Sequence, residues 1–262
     1  MASVRNAVYR RVVGVGQGAG SRGGAGRCGA PVSVKHVSEL RVAIVPSAPV
    51  LVPELAAAAA AELTDLRGAM RDAVADLPQR WIAVGVAGVE SVVAPAAAGT
   101  FAGYGVDVPV ALSPGAHEVS DLPLCALMAG WLRGQDRPDA SVETRCYPAT
   151  LDNGTAVRRG AELRAEIGDT EVGVLVVADG ANTLTPPAPG GYDPDSLPVQ
   201  AALDDALGAG DAAALTQLPD TVVGRPAFAV LSGLAGAAAV AARELYRGAP
   251  YGVGYFAGVW RI

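Results

Sequence analysis

Three polar segments of the sequence each follow a short apolar run that is typical of a β-strand. The first contains Ser47 before Ala48-Pro49, the second contains His117, and the third begins Asp179-Gly180-Ala181-Asn182. In open α/β sheets, ligands bind in the crevice beyond the carboxyl ends of the strands. Ser47, Asp179 and Asn182 are therefore candidate ligand-binding residues, and His117 is a candidate for chemistry at the same edge.

Each of these residues also has a plainer interpretation as part of a turn. Ser47 precedes Ala-Pro, a common turn context, and His117 follows Ser-Pro-Gly, where an exposed or capping histidine is expected. Asp179-Gly180 at a strand end fits turn chemistry as well as a carboxylate directed into a crevice. The sequence leaves both interpretations open at all three positions.

Motifs of other active-site classes are missing from the sequence. It contains no P-loop, no HExxH and no GxSxG elbow. Its three cysteines, Cys28, Cys125 and Cys146, are widely spaced and form no CxxC. A disulfide framework or a zinc knuckle is therefore not expected, and a reducing, cytoplasmic location fits the cysteine usage.

Strands and helices alternate along the chain and must position the candidate residues. Strands are predicted at residues 40–45, 81–87, 106–112, 141–147, 171–178 and 252–262, and helices at residues 54–75, 122–132, 155–167, 199–207, 211–218 and 227–246. The Val/Leu run at 171–178 predicts a strand that is buried on both faces. The pattern predicts a single α/β domain, with a central mixed or mostly parallel sheet covered by helices on both faces.

Composition divides the chain into a leader, residues 1–38, and a domain, residues 39–262. The leader holds six basic and no acidic residues and is rich in glycine, so we interpret it as a disordered basic Gly/Arg-rich segment, with a transit-type peptide as the alternative. The domain has 14 basic against 26 acidic residues, which disfavours nucleic acid as a partner. The longest apolar run, 226–242, is shorter than the roughly 20 residues that span a membrane, so no membrane association is expected.

Three stretches of the sequence resemble one enzyme superfamily. VAIVPSAPVLVPEL near the start of the domain, VLVVADGANTLTPPAPGGYDPDSLPVQAALDDALGAGDAAALTQL in its second half, and APYGVGYFAGVW near its end are similar to class III extradiol ring-cleavage dioxygenases of the subunit-B-like superfamily. The resemblance is closest to an actinobacterial subfamily of uncharacterised proteins. It extends from about Leu40 to the C-terminus and implies the extradiol-dioxygenase fold.

The resemblance implies an Fe(II) site made of two histidines and one carboxylate, and this sequence departs from that site. Ser47 stands where the family has its first ligand histidine. His117, in AHEVSDLPL, matches the element that carries the family's acid/base histidine, although the spacing is one residue longer. His36 lies before the first strand, where no ligand is expected. A complete two-histidine iron site is therefore not expected, and no metal ligand is assigned; Fe(II) would be the cofactor if the family site were retained.

These observations predict an extradiol-dioxygenase-like protein that has lost iron chemistry and binds a small molecule or a protein partner. The binding site would be the crevice beyond the carboxyl ends of the strands. The alternative is an active oxidoreductase, either a ring-cleaving dioxygenase or an enzyme with an altered metal, in which His117 serves as acid/base. The resemblance also leaves a homo-oligomer open, because relatives of this fold commonly form dimers or larger assemblies.

Overall fold

The computed structural model describes residues 39–56 and 61–262. The strands in this part of the chain are β1 Arg41–Val45, β2 Arg80–Ala87, β3 Ser91–Val93, β4 Ala97–Thr100, β5 Pro109–Ala111, β6 Glu118–Val119, β7 Ser141–Pro148, β8 Gly173–Val177, β9 Ala241–Gly248 and β10 Tyr255–Arg261. The helices are α1 Pro53–Ala56, α2 Thr64–Val74, α3 Leu124–Asp136, α4 Asn153–Ile167, α5 Ser196–Ala209 and α6 Arg225–Ala235. The predicted leader, residues 1–38, lies outside the described residues.

A seven-stranded sheet in the order β3-β7-β2-β8-β1-β10-β9 forms the centre of the domain. The four strands β7, β2, β8 and β1 are mutually parallel, and the remaining three are antiparallel to their neighbours. The prediction of a single α/β domain with a mixed sheet is confirmed. A second sheet of three short strands, β5-β4-β6, lies in the segment between β3 and α3.

Helices cover both faces of the large sheet, and each face has its own apolar core. Buried side chains of α2 and α3 form one core with alternate residues of the strands, and those of α4, α5 and α6 form the other. Alternation of side chains along a strand divides β8 between the two cores: Leu175 and Val177 face the first, and Val174 and Val176 face the second. The prediction of a strand buried on both faces is confirmed, but the strand is shorter than the predicted residues 171–178 and spans Gly173–Val177.

The predicted helix over residues 227–246 is wrong in its second half. Helix α6 ends at Ala235, because Gly236 adopts a positive φ of 57° that ends the helix. The following segment forms β9, an edge strand that pairs with β10. Ala, Arg, Glu and Leu in β9 favour a helix locally, but pairing with a neighbouring strand overrides that weak preference.

Other predicted elements are shorter than expected or are divided. The helix predicted over 54–75 is described as α1 and α2, and residues 57–60 lie outside the description. The strand predicted over 106–112 is only β5, in the small sheet, and the helix over 211–218 is a 3₁₀ helix at Ala214–Gln217. Among the described residues, no helix is long and apolar enough to cross a membrane.

Candidate functional site

The parallel pairing of β1 with β8 brings the ends of these two strands to the same edge of the sheet. Ser47 lies two residues after β1, and Asp179 lies two residues after β8. The backbone N–H of Ser47 donates a hydrogen bond of 2.7 Å to Oδ1 of Asp179. The structure therefore brings together two of the residues that the sequence predicted for the crevice, through the serine backbone rather than the serine hydroxyl.

Asp179 has the most perturbed environment of the predicted site residues. Burial raises the pKa of its carboxyl to about 7, and the hydrogen bond from Ser47 only partly opposes this rise. The phenol of Tyr255 is close enough that the Asp179 charge, added to burial, raises the pKa of Tyr255. A strand-end carboxyl that titrates near neutral pH is a feature of ligand-binding and catalytic sites.

Gln200, on α5, holds the turn that carries Asp179. Its Oε1 accepts a 2.8 Å hydrogen bond from the N–H of Ala181, and its Nε2 donates to Oδ1 of Asp204 at 2.8 Å. A Cβ added at Gly180 or at Gly254 would lie 2.1 Å from Oε1 of Gln200. A side chain at either of these two positions would therefore have to displace the Gln200 amide and break its hydrogen bonds.

Asp204 extends this buried chain of hydrogen bonds toward the surface. Burial raises its pKa to about 6, while the bond from Gln200 and the positive charge of Arg247 oppose the rise. Arg247, on β9, pairs with Asp205 and with Glu244. Polar contacts thus run from the Asp179 turn, through Gln200, to a charged cluster on the edge strand.

Asn182 lies three residues beyond Asp179 and borders an open groove of about 760 Å³. Asn153 and Arg225 also line this groove, between the ends of β7 and β8. The guanidinium of Arg225 donates to Oδ1 of Asn153 at 2.7 Å and to the carbonyl of Ala149 at 2.9 Å. The groove therefore has a fixed polar wall, and Asn182 faces it beside the Asp179 turn.

His117 lies in a different environment. It is exposed and immediately precedes β6 of the small sheet. The ring Nδ1 of His117 is 2.9 Å from the carbonyl oxygen of Gly115, and its backbone N–H donates to the carbonyl of Ala96. In the described part of the chain, no hydrogen bond or ion pair joins His117 to Ser47 or Asp179, so the structure does not bring this residue into the Asp179 turn.

The donors around Asp179 do not fit an Fe(II) site of the kind that the resemblance implies. That site needs two imidazoles beside a carboxylate. Here Asp179 accepts a hydrogen bond from a backbone N–H, the ionisable group near it is the phenol of Tyr255, and His117 lies just before β6 of the small sheet. Within residues 39–56 and 61–262, no group of three or more His, Cys, Asp or Glu residues is arranged to hold a metal ion.

Three residues of this region were not singled out from the sequence: Gln200, Asp204 and Tyr255. Gln200 and Asp204 are four residues apart, a spacing that places two side chains on one helix face. A polar pair on the buried face of a predicted helix was an available signal. Tyr255 had none of its own, since an aromatic residue in a buried strand usually serves only packing.

Comparisons with known proteins add little to this description. No family model matches the chain, and no curated protein matches it. Among solved structures, it is similar to an uncharacterised protein of Escherichia coli K12, JW3007, with a TM-score of 0.48 and 11% sequence identity over 84% of this chain and 99% of the other.

Proposed function

We propose that this protein has an extradiol-dioxygenase-like domain that binds a small hydroxylated molecule at the Asp179 turn and does not carry out iron-dependent ring cleavage. One observation supports the proposal most strongly. The side chain at position 47, where the resemblance would put a ligand imidazole, is a serine hydroxyl, and Ser47 contacts Asp179 through its backbone N–H. A serine hydroxyl is a poor ligand for Fe(II), so this side chain does not replace the missing imidazole.

The raised pKa of Asp179 supports the binding of a hydroxylated molecule. The carboxyl suits a ligand hydroxyl, because its protonated form donates a hydrogen bond and its ionised form accepts one. Asn182 on the adjoining groove adds an amide that both donates and accepts.

Catechol is the appropriate probe, because it carries two adjacent hydroxyls and is the substrate type of the enzymes that the sequence resembles. Catechol should bind saturably to the purified full-length chain in a calorimetric titration. Asp179→Ala should abolish the binding heat. The control variant His117→Ala, an alanine substitution just before β6 of the small sheet, should leave the binding heat unchanged. No binding to the wild-type protein would refute the proposed ligand class.

Iron content and ring cleavage test the second half of the proposal. After incubation with Fe(II) under anaerobic conditions and desalting, the chain should retain substoichiometric iron and should show no cleavage of catechol in air. Stoichiometric iron that is lost in His117→Ala or Asp179→Ala, together with a ring-opened product, would overturn the proposal.

The raised pKa of Asp179 also favours a second candidate, an oxidoreductase with an altered site. A group that titrates near the working pH is well suited to general acid–base catalysis. In this alternative Asp179 would exchange protons with the substrate, and His117 would approach only with bound ligand. Turnover of catechol that depends on both residues would favour this enzyme over the binding protein.

We further propose that the protein works in the cytoplasm and has no nucleic-acid partner, with a homo-oligomer as the assembly to test. The acidic domain composition argues against nucleic acid, and the spaced, free cysteines suit a reducing compartment. The mass of the particle in solution, measured by light scattering after gel filtration, tests the assembly. A strict monomer at micromolar concentration would refute it.

A further inference from the structure

Two thiols meet in the core between helix α3 and the sheet. Cys125 is in the first turn of α3, and Cys146 is near the end of β7. Their Sγ atoms are 3.7 Å apart, and both residues are buried. Two sulfurs at this separation are in van der Waals contact, with no atom between them.

The packing that brings the thiols together depends on Gly85 in β2. Gly85 is the cross-strand neighbour of Cys146 in the parallel β2–β7 pair. A Cβ at Gly85 would lie 2.3 Å from the Cβ of Cys125. The missing side chain at Gly85 therefore gives Cys125 the space beside Cys146.

We propose that Cys125 and Cys146 form a reversible disulfide, with hydrogen peroxide as the oxidant. A disulfide has an S–S distance of roughly 2.05 Å, so the sulfurs must approach by less than about 2 Å. Rotation of the two side chains, with a small shift of the first turn of α3, can supply such a movement. In a reducing compartment a disulfide of this kind is transient and reports the redox state.

Cys146 is the thiol that reacts first. Its cross-strand partner in β3 is Ser91. Hydrogen bonds from Cys125 and Ser91 lower the pKa of Cys146 despite burial. The contact with Cys146, together with burial, raises the pKa of Cys125, which keeps its proton. Because both thiols are buried, the oxidant must be small, as hydrogen peroxide is, whereas a peptide thiol such as glutathione is too large to reach them.

The reaction has two balanced steps. The Cys146 thiolate attacks one peroxide oxygen, an S–O bond forms as the O–O bond breaks, and the hydroxide that leaves takes up a proton to become water. Cys125 then loses its proton and attacks the Cys146 sulfur, so that an S–S bond forms and the S–O bond breaks, releasing a second water. The two thiols lose two electrons in total, and the peroxide gains them.

A full-length Cys28→Ser variant isolates the pair, because Cys28 is the remaining cysteine of the chain. Treatment of the folded variant with peroxide should lower the number of free thiols, counted after denaturation, from two to none. It should also lower the mass by about 2 Da. Digestion should release one cross-linked species joining the peptides of Cys125 and Cys146. Dithiothreitol should restore both thiols and the original mass.

Two further variants test the roles of the individual residues. Adding Cys125→Ala should leave Cys146 without a resolving thiol, so that its mass rises by about 32 Da through sulfinic acid. Adding Ser91→Ala should slow disulfide formation severalfold without preventing it. The proposal is overturned if both thiols of Cys28→Ser survive peroxide in the folded protein, or if each gains oxygen separately and no cross-linked peptide forms.

Discussion

The Asp179 turn and the His117 loop both carry residues that the sequence marks for chemistry, but their surroundings differ. Asp179 is held by the Ser47 backbone, and its turn is fixed by Gln200 against two glycines. His117 is exposed, and the neighbouring Gly115 has open space around it. The comparison shows that similarity to a motif and a perturbed environment are separate signals, and here they fall on different residues.

The largest expected difference between the two regions is the pH dependence of stability. The pKa of Asp179 is raised from 3.8 to about 7 by folding, so the folded state holds the proton more tightly than the unfolded state. The stabilisation that the raised pKa of Asp179 gives the folded state is therefore complete below about pH 4 and is lost as the pH rises through 7. At pH 8 the ionised carboxyl costs at most about 4 kcal/mol.

Asp179→Asn should remove this cost while keeping an oxygen for the Ser47 N–H. Urea unfolding should show the variant to be about 2–4 kcal/mol more stable than wild type at pH 8, with the difference disappearing near pH 4. His117→Gln is the matched control in the other region and should change stability by less than about 0.5 kcal/mol at pH 8. An Asp179→Asn effect that does not vary with pH would contradict the assigned cause.

Glycine substitutions sharpen the same comparison. Gly254→Ala would place a Cβ against the Gln200 amide and break its buried hydrogen bonds to Ala181 and Asp204. We expect a loss of about 2–3 kcal/mol in the free energy of unfolding. Gly115→Ala, beside His117, meets no atom within 4 Å and should cost less than about 0.5 kcal/mol. Equal losses would show that the Asp179 turn is not the tightly packed region.

The sequence predicted the positions of the site better than its interactions. Residues 171–178 were identifiable as a doubly buried strand, and the crevice rule for α/β sheets then pointed to Asp179. The bond from Ser47 could not be predicted, because it comes from a backbone N–H that every residue except proline has. Gln200 lies 20 residues beyond Gly180, and only the packing of α5 brings them together.

The main error in the fold has a similar origin. Residues 241–248 have the composition of a helix, and nothing in their own sequence shows that β10 is available as a pairing partner. The short strands β3, β4 and β6 also went unpredicted, since two to four residues carry too little periodic pattern. Local pattern predicted the elements that bury a face, and long-range pairing determined the others.

The smallest expected effect comes from Ser47. Because its backbone N–H, and not its hydroxyl, contacts Asp179, Ser47→Ala should preserve the hydrogen bond and shift the free energy of unfolding by less than about 0.5 kcal/mol. The variant should also keep the pH dependence of the wild-type protein in urea unfolding. Loss of that dependence in Ser47→Ala would mean that the hydroxyl determines the environment of Asp179.

The titration of Asp179 itself tests the central claim most directly. Protein labelled with ¹³C at aspartate carboxyls can be followed by NMR between about pH 4 and pH 9, with Asp179→Asn identifying the signal. The environment of the turn predicts a midpoint of about 7. A midpoint near the ordinary value of about 4 would show that Asp179 is a solvated turn residue, and the proposed site would then lose its basis.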